Sequence, residues 1–377
     1  MRQLVFHGPH RLAVEEATER GLNAGEVRVR PHAVGICGSD VHGYVGANDR
    51  RLPGMVMGHE AAGIVVQIGA GVERPAVGDR VAINPAVTCG ACDFCRSGQD
   101  QRCPHRRLHG CALDLPGAFA ESMVVSAANA VAFDGPAPLE WGALVEPFAV
   151  GAHGVGLLTG PFVNGVLVLG GGPIGVGAAL SARRRGIERV VISEPVRHRR
   201  ELATRLGLET HDPEAGKPPE RFDAALECVA LRVTLEAALT LTRPGAEVVF
   251  IGVGEPQIPL PVEPLVVGER RLLGSFNYSR EDFAATAAWI ASGEIDLTPL
   301  IEARVSLDGL PDAFARYADG TNRAMKTLWE PEVGDSGSAA RPGHRTTGGG
   351  WDEGARQSDA RHRSVAGSTR RGRGAGQ

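Results

Sequence analysis

The stretch "GVLVLGGGPIGVGAAL" (165–180) constrains this chain more than any other. A β-type run leads directly into Gly170-x-Gly172-x-x-Gly175, and a helix-forming, Ala-rich run (176–185) follows at once. In that order the first glycine permits a tight turn, the second lets backbone approach a pyrophosphate, and the third lets helix and strand pack closely. The helix N-terminus then faces the negative charge. With 51 glycines in the chain the pattern alone would be weak, but between a strand and a helix it predicts a dinucleotide site that includes Pro173. Glu194 stands nineteen residues beyond Gly175, at the end of the next β-type run, "VVISE". There a carboxylate accepts bonds from the adenosine ribose hydroxyls and repels the extra phosphate of NADP. NAD is therefore favoured. Arg197, Arg199 and Arg200 keep NADP as the alternative, and a solvated helix-start acid is the plainer account of Glu194.

The surrounding pattern fits an α/β protein. From residue 165 strands alternate with helices: VLVLG, VVIS, FDAALE and EVVFIGV read as buried strands of a parallel sheet. Residues 1 to about 135 instead carry short β-type segments between Gly, Pro, Asn and Asp turns, as in a mostly antiparallel unit. Residues 139–160 read as a connecting helix, 282–295 as another, and a last short stretch to Trp329 is assigned back to the first unit. The expected division is 1–155 with 289–330 as one domain, holding a lobe at about 86–112, and 156–288 as the dinucleotide-binding domain. Residues 331–377 hold eleven glycines, eight arginines and five acids, too little apolar surface to offset ordering entropy, so a disordered tail is expected. A single RGRG there is a weak sign of an RNA-contacting arm.

At 377 residues the chain is long enough for two cores. Its net charge of −4 gives no general attraction to nucleic acid or anionic lipid. No apolar run approaches the roughly 18 residues of a membrane span. The first residues, MRQLVFHGPHR, lack the basic-then-apolar order of a secretory signal, so a cytoplasmic protein is expected. In a reducing compartment, clustered cysteines hold metal more readily than they form disulfides.

Two cysteine patterns stand apart. Cys89, Cys92, Cys95 and Cys103 form a C-x₂-C-x₂-C-x₇-C run. Four thiolates around zinc leave no open position, so this site is read as closed and structural, with a reduced, metal-free loop as the plainer account. A ferredoxin-type cluster has three residues before its last cysteine rather than seven, and no second cluster motif is present. Cys37, in "GICGSDVHGY", and His59-Glu60, in "MGHEAAG", have no such spacing. Singly, each reads as an ordinary core or solvated residue. Together, thiolate, imidazole and carboxylate are three ligands for Zn²⁺ with a fourth position left for chemistry. Glu146, in "LVEPFAVGAHGV", opens the connecting helix; it is either a further ligand, a group acting on metal-bound water or substrate, or a helix-start charge meeting the dipole.

With "CGSDVH", "GHEAAG", the cysteine run, "VEPFAVGAHG" and "GGGPIG" in this order, residues 1 to about 330 resemble the zinc-dependent medium-chain dehydrogenase/reductase family, nearest its polyol (sorbitol), butanediol and threonine dehydrogenase branch. The resemblance implies a GroES-like catalytic domain split around a Rossmann domain, two zinc ions per subunit, and oxidation of a secondary alcohol to a ketone by hydride transfer to NAD. It implies Cys37, His59, Glu60 and Glu146 at the catalytic zinc, and Ser39 and His42 as a relay that takes the alcohol's proton through the nicotinamide ribose to solvent. Ile174, Glu194, Arg199, Gly252, Val253, Ser275 and Phe276 fall on cofactor-contacting positions. Sorbitol-type members carry an aromatic after the relay histidine and an arginine before a tyrosine across the pocket. Here these positions hold Gly43 and Asn277, with Tyr278 kept, which favours another secondary alcohol, vicinal diol or cyclic polyol. A threonine-like or aldehyde-reducing enzyme, and a non-catalytic NAD-binding regulator, are the competing readings. Small-molecule alcohol or ketone substrates and a homodimer or homotetramer are the expected partners.

Overall fold

The computed structural model describes residues 1–47, 51–160, 163–216, 218, 220–255 and 257–331. The tail expected to be disordered lies outside the described residues, apart from Pro331. Alternation in "EVRVRPHAVG" yields the strand Glu26–Gly35, whose Val27, Val29, Ala33 and Val34 are buried. It is the spine of the N-terminal half. Glu60–Ile68 runs antiparallel along one edge, while Met123–Ser126 and Lys326–Trp329 share the other. Arg80–Ile83 and Ala130–Ala132 extend the sheet beyond Glu60–Ile68, and Ile301–Val305 extends it beyond Lys326–Trp329. The last strand of the described chain therefore lies beside one of the first.

From residue 165 a second, six-stranded sheet forms. Its spatial order is Glu209–His211, Arg189–Ser193, Gly165–Leu169, Phe222–Glu227, Thr242–Phe250 and Arg271–Gly274, and every neighbouring pair is parallel. Numbered along the chain, the order is 3-2-1-4-5-6, so it reverses between Gly165–Leu169 and Phe222–Glu227. Ligands of such sheets bind at the carboxyl ends of the strands at that reversal. The near-continuous apolar runs are explained by burial on both faces: Val166, Leu167, Val168 and Leu226 are fully buried.

Three predicted elements change extent for local reasons. The Ala-rich helix begins at Pro173, with Gly172 as N-cap, because proline is preset for a first helical position. The connecting helix is a 3₁₀ segment, Leu139–Leu144, followed by an α-helix, Val145–Gly156; Pro147 sits in the first turn of the latter, where its missing N–H costs nothing. The run EVVFIGV leaves the sheet after Phe250, as Ile251 and Gly252 both donate to the Glu227 carbonyl. Phe148, Val166, Val168, Phe133 and Ala62 share one buried cluster, so the connecting helix packs on both sheets. Among the described residues no helix is long and apolar enough to cross a membrane.

Glu247 shows how polar burial is satisfied here. Its carboxylate accepts from Thr159 N (2.7 Å), Thr159 Oγ1 (2.9 Å), Gly160 N (3.1 Å) and Arg271 Nη1 (2.7 Å). Burial pushes its pKa up, but these donors outweigh burial and hold it below the usual carboxylate range. A depressed folded-state pKa stabilises the fold above the unfolded value of about 4.3, and that contribution is lost as pH falls through the lower folded value. Glu247→Gln is expected to cost about 1–3 kcal/mol at pH 7, with the two urea midpoints converging as pH drops below about 4. Equal midpoints at pH 7 would show that the four bonds contribute nothing.

Candidate functional site

The main sheet assembles the first group of site residues through its register. Glu60 pairs with Gly35, and Cys37 follows two residues later as N-cap of the short helix Gly38–Tyr44. A Cβ on Gly35 would lie 2.2 Å from Glu60 Oε2, so only glycine lets the glutamate fold across the strand here. Donor atoms of Cys37, His59 and Glu60 all lie within 4.8 Å of one another. Behind them stands a set of charges that the sequence did not single out. Lys326 Nζ, on the last strand, is 2.6 Å from Glu60 Oε2 and also donates to the Ile36 carbonyl. Asp40 is fully buried, with one oxygen 2.8 Å from Arg51 Nη2 and the other 3.4 Å from His59 Nδ1.

His59 Nδ1 and Asp40 Oδ2 are nonetheless buried without a hydrogen bond. Burial disfavours charge on His59, but Asp40 and Cys37 outweigh it and hold its pKa well above the ordinary histidine value. Burial likewise pushes Asp40 up, and His59 with Arg51 bring its carboxyl well below the usual range. An imidazole that attracts positive charge, beside a thiol and a carboxylate, is the donor set of a zinc site. With Nδ1 turned to Asp40, Nε2 remains for the metal. The residues present fit the ion.

Glu146 is buried beside this group but is not one of the three residues whose donors converge. Burial drives its pKa up to about 7, helped by the charge of Glu60, while Tyr278 Oη donates to Glu146 Oε1 at 3.1 Å. Tyr278 itself is 1% exposed. Ser39 Oγ lies 3.4 Å from Cys37 Sγ, and His42, three residues on and on the same helix face, is exposed. At Gly43, where sorbitol-type members carry an aromatic, a Cβ would be 2.2 Å from Arg51 Cγ, so the buried Arg51 side chain occupies the space. Cys111 lies within electrostatic reach of His59, Arg51, Asp40 and Cys37, and burial raises its pKa.

The glycine turn sits at the reversal of the parallel sheet. Gly170 has φ +98°, and a Cβ on Gly175 would stand 1.9 Å from the Gly170 carbonyl oxygen. Ile174 packs half-buried against the core. Glu194 is buried and already bonded: Oε2 accepts from Gly171 N at 2.7 Å and Oε1 from Val196 N at 2.9 Å. The carboxylate thus braces the glycine loop, with Arg199 Nη1 3.8 Å from Oε2. Gly252, Val253, Ser275 and Phe276 follow the carboxyl ends of two strands of the same sheet. Val253 and Phe276 are 65% and 43% exposed, an apolar surface of the kind a flat ring covers, and Ser275 Oγ is buried without a partner.

The four cysteines of the run also converge within 4.8 Å. Cys89 N donates to Cys103 Sγ and Cys92 N to Cys89 Sγ. The N–H groups of Ala91 and Cys92 hold the Cys89 thiol down to about 6, whereas burial and neighbouring thiols push Cys95 up to about 11. Four adjacent thiolates repel unless a cation joins them, and zinc satisfies that demand.

Comparison with known proteins agrees with this geometry. Residues 23–135 match the family model described as alcohol dehydrogenase GroES-like domain, and residues 173–292 match zinc-binding dehydrogenase. A 2-dehydro-3-deoxy-L-galactonate 5-dehydrogenase from Pseudoalteromonas atlantica is 34% identical, over 81% of this chain and 92% of its own. A sorbitol dehydrogenase from Arabidopsis thaliana is also 34% identical, over 81% and 88%. The crystal structure of galactitol-1-phosphate dehydrogenase from Escherichia coli superposes with a TM-score of 0.81 at 26% identity, covering 88% of this chain and all of that one. The chain belongs to the zinc-dependent medium-chain dehydrogenases/reductases, within the branch of polyol and butanediol dehydrogenases.

Proposed function

We propose that this chain oxidises a secondary alcohol of a polyol, cyclic polyol, vicinal diol or polyol-derived sugar acid or phosphate to a ketone, with hydride passing to NAD. The observation that carries the reading is the convergence of Cys37, His59 and Glu60 beside the buried Glu146–Tyr278 pair. A zinc ion held by the three donors would polarise the substrate oxygen and lower the pKa of its hydroxyl. Ser39, beside Cys37, is positioned to accept the hydroxyl proton, and His42 delivers it to solvent. Glu146, with a carboxyl poised near neutral pH and a bond from Tyr278, orients the substrate or its water. The four-cysteine lobe holds a second, structural zinc. We read 1–155 with 289–330 as the catalytic domain, 156–288 as the dinucleotide domain, and the protein as a cytoplasmic homodimer or homotetramer.

Four outcomes test this reading. Purified protein should contain two zinc equivalents by elemental analysis. Cys37→Ser should lose one of them and reduce kcat by about 10³-fold or more while NADH binding persists, whereas Cys92→Ser should lose the other and lower the melting temperature. Full turnover by Cys37→Ser would refute the catalytic assignment. A panel of diols, polyols, inositols, aldonates, polyol phosphates and threonine should show NAD reduction with a hydroxylated secondary alcohol and little with threonine. Finally, Glu194→Ala should shrink the preference for NAD over NADP in kcat/KM by about tenfold or more, because a carboxylate at the end of this strand repels a ribose 2′-phosphate. An unchanged ratio would assign Glu194 to loop support alone.

A further inference from the structure

We propose that Arg106, carried by the four-cysteine lobe, binds the anionic end of the substrate, so that the lobe helps select substrate as well as stabilising the fold; this rests on the polyol reading above. Arg106 leaves the cysteine run by a turn in which its N–H donates to the Cys103 carbonyl. Its guanidinium carbon lies 4.5 Å from the centroid of the Phe276 ring. Stacking fixes the plane of the group and leaves its N–H edge free for a planar or tetrahedral anion. Among the described residues that edge has no taker. Nearby Arg96 pairs with Asp93, Arg102 with Gln99 and Arg107 with Asp114, but no ion pair or side-chain hydrogen bond joins Arg106 to another described residue. Arg106 itself is half-buried.

What it lies against matters most. Phe276 begins the segment Phe276-Asn277-Tyr278, whose tyrosine bonds Glu146 at 3.1 Å. On and beside this segment, Asn277 Nδ2 and Ser275 Oγ are both buried without a hydrogen-bond partner, although buried polar groups seldom go unpaired. Asp100 Oδ1, also on the lobe, accepts from Arg280 N at 3.0 Å and fastens the lobe two residues beyond Tyr278. An aromatic platform, a cation with no partner among the described residues and two orphaned polar groups thus stand on or beside the segment that carries Tyr278. That combination suits a polyol ending in carboxylate or phosphate.

The test compares wild type, Arg106→Gln and Arg106→Lys on aldonates, polyol 1-phosphates and neutral hexitols of galacto, gluco and ido configuration. It reads kcat/KM and, from NADH fluorescence, the affinity of each anion for the enzyme–NADH complex. Wild type should favour one anionic class, which distinguishes carboxylate from phosphate. Arg106→Gln should lose about 10- to 100-fold in kcat/KM and affinity for that class, with neutral hexitols, NADH affinity and zinc content nearly unchanged, and Arg106→Lys should recover part of the loss. Equal losses on all substrates, weakened NADH binding, or undiminished anion binding would overturn the proposal and leave Arg106 as a support for Phe276. Wild-type turnover of neutral hexitols without anion binding overturns it while the polyol reading stands; absence of both turnover and binding overturns the two together.

Discussion

The buried pair of Lys326 Nζ and Glu60 Oε2, 2.6 Å apart, ties the last strand of the described chain to the strand that opens with the candidate metal ligand. Both side chains are nearly inaccessible, at 3% and 1% exposure. Such a pair contributes little net stability compared with apolar residues of the same shape, yet removing one partner strands the other charge and costs several kcal/mol. Its physical consequence is positional. Lys326 cannot reach Glu60 unless Lys326–Trp329 is seated against Glu26–Gly35, and that seating completes the wall behind Cys37 and His59. The chain must therefore finish its course through the parallel sheet and return before the site is whole.

Features with local causes could be read from the chain alone. The glycine turn was legible because a strand, three spaced glycines and a helix former specify one another within sixteen residues. FDAALE was readable as the strand Phe222–Glu227 because burial on both faces leaves few polar positions. The cysteine run announced its lobe by spacing. Cys37 and His59-Glu60 were singled out by residue type, and the register opposing Gly35 to Glu60 explains why so wide a separation in sequence closes to a few ångströms.

The unread parts depend on partners that are distant or uninformative in sequence. Lys326 lies 266 residues from Glu60, and a lysine in a short strand gives no sign of being buried. Arg51 belongs to no motif in the sequence, and Gly43 stands where sorbitol-type members carry an aromatic. The two observations are one: removing a side chain at 43 makes room for the Arg51 stem, which then carries its charge to Asp40. Asp40 was visible inside "CGSDVH", but nothing local showed that it would face His59. Asp100 and Arg106 are separated from their contacts at Arg280 and Phe276 by some 170 to 180 residues, and only the docking of the lobe unites them.

The arrangement of charge also explains why this pocket suits a metal ion. Its buried acids are Asp40, Glu60 and Glu146, and its permanent buried cations are Arg51 and Lys326. Arg51 is committed to Asp40 and Lys326 to Glu60, which leaves Glu146 with a neutral donor, Tyr278, and a carboxyl that burial pushes toward neutral pH. The remaining demand for positive charge falls on His59, whose pKa rises because Asp40 and Cys37 flank it. A dication between Cys37, His59 and Glu60 would meet that demand without a proton on the imidazole, and would ionise the thiol as well. Glu146, outside the three converging donors, keeps a carboxyl that burial holds near neutral pH, where it can gain or lose a proton readily.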